Sequence, residues 1–125
     1  MQRLSLLILF RDGFDDLTAL QAALAQYRDP LRQVAPDHLK FGAPAELDVQ
    51  LNSESDVLIE SQEMAEFFPH KDNIEIALCN QRIELSWDMK DDPGLITNLI
   101  GFVQPEVNRL VSKCWTFDPQ AGLWF

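Results

Sequence analysis

The run Arg3–Phe10 constrains this chain more than any other segment. Six of its eight residues are Leu, Ile or Phe, and it stops at the polar turn Arg11-Asp12-Gly13. It is too short to span a bilayer. No small-residue cleavage site follows it, so it does not read as an export signal. It reads instead as a strand buried on both faces, in a protein expected to be cytoplasmic.

Size and charge narrow the rest. A chain of 125 residues has the length of one domain, and its 46% hydrophobic and 24% charged residues are ordinary globular composition. A domain of this size buries about two thirds of its unfolded surface and needs no staples. The two cysteines, Cys79 and Cys114, read as reduced hydrophobes, one in a strand and one at a helix end. Twenty acidic against ten basic residues give a net charge of −10. That balance disfavours nucleic acid and anionic membrane surfaces, and it attracts a basic protein. The same charge also keeps a protein soluble.

Along the chain, Asp15 or Asp16 is expected to cap a helix reaching about Asp29, with Leu17, Leu20, Leu24, Tyr27 and Leu31 on one stripe. Residues 31–44 contain Pro36, Gly42 and Pro44 and read as loop with one short strand at most. Residues 46–52 alternate, with Leu47, Val49 and Leu51 against Glu46, Asp48 and Gln50, which predicts a half-buried strand. Residues 56–61 read as another strand. Residues 74–79 and 82–88 read as a hairpin about Asn80-Gln81, pairing Leu78 with Ile83, Ile76 with Leu85 and Ile74 with Trp87.

Asp92 and Pro93 open a second long helix, whose stripe Ile96, Leu99, Ile100, Val103, Val107, Leu110, Val111 and Cys114 stays in phase across Pro105. That phase favours a kink over a break. A last strand pair brackets the turn 118–122, with Trp124 either in an ordered edge strand, the favoured reading, or in an exposed apolar patch suited to a partner. The expected architecture is α+β: a mainly antiparallel sheet with two helices packed on one face, in the order β-α-β-β-β-β-α-β.

Motif chemistry is sparse. The sequence has no glycine-rich phosphate loop, no Gly-x-Ser-x-Gly and no paired Cys-x-x-Cys. His38 and His70 lie in charged, loop-like stretches, where a surface histidine is the commoner outcome than a base or ligand. Asp88, Asp91 and Asp92 lack the ligand spacing of a calcium loop. No metal or cofactor is expected. One constellation stands out: Asp12, Asp15 and Asp16 follow the first strand, and Asp88, Asp91 and Asp92 follow the hairpin. If those strands run parallel, six carboxylates share one rim beside two helix N-termini. Capping and solvation also account for such residues. The sharper reading is an acidic edge that docks a basic protein.

The segment Cys114–Trp124, with its Asp118-Pro119-Gln120 turn after a long amphipathic helix, resembles a pattern in some bacterial immunity proteins. The likeness covers about a tenth of the chain, and Asp-Pro suits turns on any fold. It implies a small acidic α+β protein that binds and neutralises a cognate toxin, which agrees with the size and charge. The competing readings are a small-molecule-binding or regulatory domain, an adaptor or chaperone of a secreted protein, and an enzyme using His38 or His70.

Overall fold

The computed structural model describes residues 2–125. Strand β1 (Arg3–Phe10) is an interior strand, fifth of seven, in a sheet of order β2-β3-β4-β5-β1-β6-β7, with every neighbouring pair antiparallel. The other strands are β2 (Leu31–Ala35), β3 (His38–Phe41), β4 (Leu47–Asn52), β5 (Gln81–Asp88), β6 (Cys114–Asp118) and β7 (Leu123–Trp124). The C-terminal end of β1 is buried on both faces, while Leu4 to Leu7 are half-buried and Arg3 is exposed. Ile8 and Phe10 point into one apolar layer and Leu9 into another, and none of the three is accessible to solvent.

The first layer packs helices α1 (Thr18–Leu24) and α4 (Pro93–Leu110) on the sheet. Leu20 and Leu24 of α1 and Ile96, Leu99, Val103 and Val107 of α4 meet Leu39, Phe41, Val49, Ile83 and Leu85. A fully buried side chain of this size contributes about 1.5–3 kcal/mol, so this face holds most of the stability. Asp92 Oδ1 accepts from the Gly94 amide at 2.8 Å, and Pro93 follows at the position where a missing N–H costs nothing. α4 runs on through Pro105, whose ring crowds the carbonyl four residues back. That residue is Gly101, exposed and with open space where a side chain would stand. The two expected helices therefore share one face, although α1 stops at Leu24 and not near Asp29.

The second face differs from expectation. Residues 56–61 do not form a strand; they begin helix α2 (Asp56–Phe67), which buries Val57, Ser61, Met64 and Ala65 at helical spacing. The hairpin about Asn80-Gln81 is also absent. Residues 73–76 form the single helical turn α3 (Asn73–Ile76), leaving Ile74 83% exposed, and β5 pairs instead with β1 and β4. Local bonds set that turn: the His70 amide donates to Asn73 Oδ1 (2.5 Å), and the Asp72 amide donates to His70 Nδ1 (2.9 Å). Together α2 and α3 cover Leu9 and Phe117 on the face opposite α1 and α4.

Residues 31–44 hold two strands, β2 and β3, joined at Pro36-Asp37. Gly42 follows them with φ of 101°, and a Cβ there would lie 2.6 Å from Leu99 and 2.7 Å from the Ala45 carbonyl, so only glycine fits. The observed order is β-α-β-β-β-α-α-β-α-β-β. No helix among the described residues is long and apolar enough to cross a membrane.

Candidate acidic cleft

Because β1 and β5 are antiparallel neighbours, with Phe10 opposite Gln81 and Arg3 opposite Asp88, the loops after them leave opposite ends of the sheet. The six carboxylates of the expected rim are therefore divided. Asp12, Asp15 and Asp16 stand at one end and Asp88, Asp91 and Asp92 at the other.

At the second end the carboxylates of Asp88 and Asp92 serve their own backbone. Asp88 Oδ1 accepts from the Lys90 amide (2.9 Å), the Asp91 amide donates to the Asp88 carbonyl (3.0 Å), and Asp92 caps α4.

At the first end the fold adds acids that are distant in sequence. Asp37 comes from the β2–β3 turn, Glu54 from the β4–α2 loop and Glu84 from β5. With Asp15 they line an open cleft of about 490 Å³, floored by Gln50, Leu51 and Asn52. Asp12 and Asp15 also border a smaller hollow beside Gln81.

Two side-chain amides build this end. Gln81 Oε1 accepts from the amides of Gly13 (2.7 Å) and Phe14 (3.0 Å), while its Nε2 donates to the Phe14 carbonyl (2.6 Å) and to Ser53 Oγ (3.0 Å). One residue thus ties the 11–14 loop to the 53–54 loop. Asn52 Nδ2 donates to Glu84 Oε2 (2.9 Å), and its Oδ1 accepts from the Glu54 amide (3.0 Å). Asn80 adds a third tie, donating to Asp12 Oδ1 (2.7 Å) and accepting from the Asp12 amide (3.0 Å). Asp16 Oδ1 accepts from the Thr18 amide (2.9 Å), and hydrogen bonds from Thr18 hold its carboxyl below the usual carboxylate range. These acids are fixed by the fold while Asp15, Asp37 and Glu54 stay exposed.

The chain matches no protein-family model, no curated protein and no solved structure. The cleft is therefore read from its own geometry.

A second polar cluster lies on the part of the sheet that α2 and α3 leave uncovered. Asp48 is 5% exposed and is the one buried carboxylate among the described residues. His38 Nε2 (2.6 Å) and Lys40 Nζ (2.9 Å) donate to Oδ1, and the Arg3 guanidinium donates to Oδ2. Burial pushes this carboxyl up, but the bonds from Lys40 and His38 and the charges of Lys40 and Arg3 outweigh it, leaving the pKa below the ordinary value. The carboxylate is fully committed to its neighbours, which gives the cluster a structural role.

His70 is likewise engaged, through the Asp72 amide and an edge-on contact with Trp124 at 5.7 Å. Cys79 is buried in the α3 layer, and desolvation pushes its thiol up to about 12. Among the described residues, no group of three or more His, Cys, Asp or Glu side chains stands close enough to hold a metal ion.

Proposed function

We propose that this chain is an inhibitory binding protein of the immunity or antitoxin kind, which neutralises a basic toxin domain in the cytoplasm by direct occlusion. The observation that carries this reading is the acidic cleft. Asp15, Asp37 and Glu54 are exposed, and they are brought together with Glu84 from four separate elements. Glu84 is paired with Arg82 (2.6 Å), whereas Asp15, Asp37 and Glu54 have no ion-pair partner among the described residues, and a cationic partner complements those three on docking. A net charge of −10 reinforces the local field at longer range and raises the association rate of a basic protein.

In this reading Asp12, Asp15 and Asp16 remain contact residues, joined by Asp37 and Glu54. Asp88, Asp91 and Asp92 leave the interface, since they lie at the far end of the sheet. Preorganisation matters as much as charge. Gln81 and Asn52 hold the loops before any partner arrives, so little ordering entropy is lost on binding.

The test is to sequence the genes flanking this one and to co-express the full chain with any basic toxic domain found there. The expected result is restored growth together with a 1:1 complex by size-exclusion chromatography with light scattering. Growth restored without a complex, or no binding to any basic protein of the source cell, ends the reading.

A further inference from the structure

Next to the cleft, on the same face of the sheet, lies an apolar groove of about 340 Å³ between α2 and strands β1 and β6. Leu7, Met64 and Phe117 form its floor, and Phe67 rises at its edge with 67% of its surface exposed. The wall behind Phe67 is braced by two contacts. Trp124 Nε1 donates to the Phe68 carbonyl (2.8 Å), and the Phe68 ring packs on Phe117 with centroids 4.9 Å apart. Gly122, at φ of 66°, leaves the room this wall needs, since a Cβ there would sit 2.9 Å from the Phe68 ring.

The polar rim is acidic. Glu60 and Glu63 stand one helical turn apart on α2. The rim's Arg82 is already neutralised between Glu60 (2.9 Å) and Glu84 (2.6 Å). Glu84 in turn lines the acidic cleft. Groove and cleft are thus consecutive stations on one surface, the first apolar and the second anionic.

We propose that this groove takes a large aliphatic or aromatic side chain from a segment of the basic partner. Lys or Arg residues flanking that side chain face Glu63, which has no ion-pair partner among the described residues, and lead on into the cleft. The inference rests on the reading of the chain as a binder of a basic protein, and it supplies what that reading lacks. Charge speeds encounter, but a desolvated apolar anchor is what holds a complex. The exposed Phe67 beside an empty apolar floor is the arrangement such an anchor needs, and the acidic rim selects cationic flanks.

A fluorescent peptide of alternating lysine and leucine, compared with one of lysine and serine, provides the probe. By anisotropy, Phe67→Ser is expected to weaken the lysine–leucine peptide about tenfold and to leave the lysine–serine peptide unaffected. Glu63→Gln is expected to weaken both by a smaller factor that disappears at high salt. The proposal is overturned if Phe67→Ser leaves the lysine–leucine peptide unchanged, or if a glutamate–leucine peptide binds as well. It is also overturned if the wild type self-associates by sedimentation and Phe67→Ser abolishes this, because a second copy then owns the groove. The two claims fail separately. A partner protein slowed by D15N/D37N/E54Q but indifferent to Phe67→Ser removes the groove alone. A peptide sensitive to Phe67→Ser, with no basic protein engaging the cleft, removes the reading of the cleft alone.

Discussion

Two loops of this protein each carry three aspartates, and they are put to different uses. After β5, Asp88 and Asp92 accept hydrogen bonds from the nearby Lys90 and Gly94 amides, and the Met89 amide is held by the Gln2 carbonyl. In the loop after β1, the backbone is held from outside by Gln81 and Asn80, so Asp15 is free to face the cleft with Asp37 and Glu54. Composition alone does not distinguish a capping loop from a docking loop. Asp16 caps the Thr18 amide just as Asp88 and Asp92 cap theirs; what distinguishes the loop after β1 is that the side-chain amides of Gln81 and Asn80 hold residues 12–14 and leave Asp15 uncommitted.

Substitutions can widen or collapse that contrast. The largest effect is expected at Asp48, the extreme case of an acid used inside the fold. Asp48→Ala leaves His38, Lys40 and Arg3 without their shared partner and is expected to cost about 3 kcal/mol at neutral pH by denaturant titration. Because the folded-state pKa of Asp48 is lowered, its contribution is complete above the unfolded value of about 3.9. It is lost as pH falls through the folded value. The gap between wild type and variant should therefore shrink on acidification. A gap that widens towards low pH contradicts the assignment.

Gln81→Ala comes next. It strips partners from two amides and a carbonyl of the 11–14 loop and is expected to cost about 2 kcal/mol, with faster hydrogen exchange at Gly13 and Phe14. Unchanged exchange there would mean that Gln81 does not hold the loop after β1. Asp92→Ala is expected to cost about 1 kcal/mol through the lost cap of α4, with partner association untouched. Smallest is Ser61→Ala. The Ser61 hydroxyl is buried in α2 with no hydrogen-bond partner among the described residues, so its removal is expected to stabilise the protein by about 0.5 kcal/mol. A loss of stability would show that the hydroxyl has a partner.

Much of the scaffold was legible in the sequence, and the failures have specific causes. The alternation of residues 46–52 gave β4 and its inward side chains, because a half-buried strand writes its two faces into sequence. It could not reveal that Asp48 is buried, since that depends on Arg3, His38 and Lys40 from two other strands. The stripe from Ile96 to Val107 gave α4 for the same reason, at a different period.

Residues 56–79 misled. Val57, Leu58 and Ile59 form a short apolar run that periodicity does not assign to helix or strand. The helical spacing 57, 61, 64 and 65 was there, but Ser61 and Ala65 made it faint. Ile74, Ile76 and Leu78 alternate and match Ile83, Leu85 and Trp87, yet only Ile76 of the three is buried. The composition of β1 held the corrective: a strand buried on both faces demands a layer on each side, and α2 and α3 are the second layer. The shared rim depended on a strand direction that the sequence does not contain. Asp37 and Glu54 reach the cleft only through tertiary pairing, so no local signal marked them.

The most direct test of the cleft changes charge equally at the two ends of the sheet. D15N/D37N/E54Q and D88N/D91N/D92N each remove three negative charges, and asparagine preserves the turn and cap geometry. Association rates with the basic partner, measured by stopped flow across a salt series, report the place of the charges apart from their number. The account predicts a fall of about tenfold for the first variant at low salt, vanishing as salt rises, and little change for the second. Equal effects from both would mean that net charge alone steers the partner and that the cleft is not where it binds.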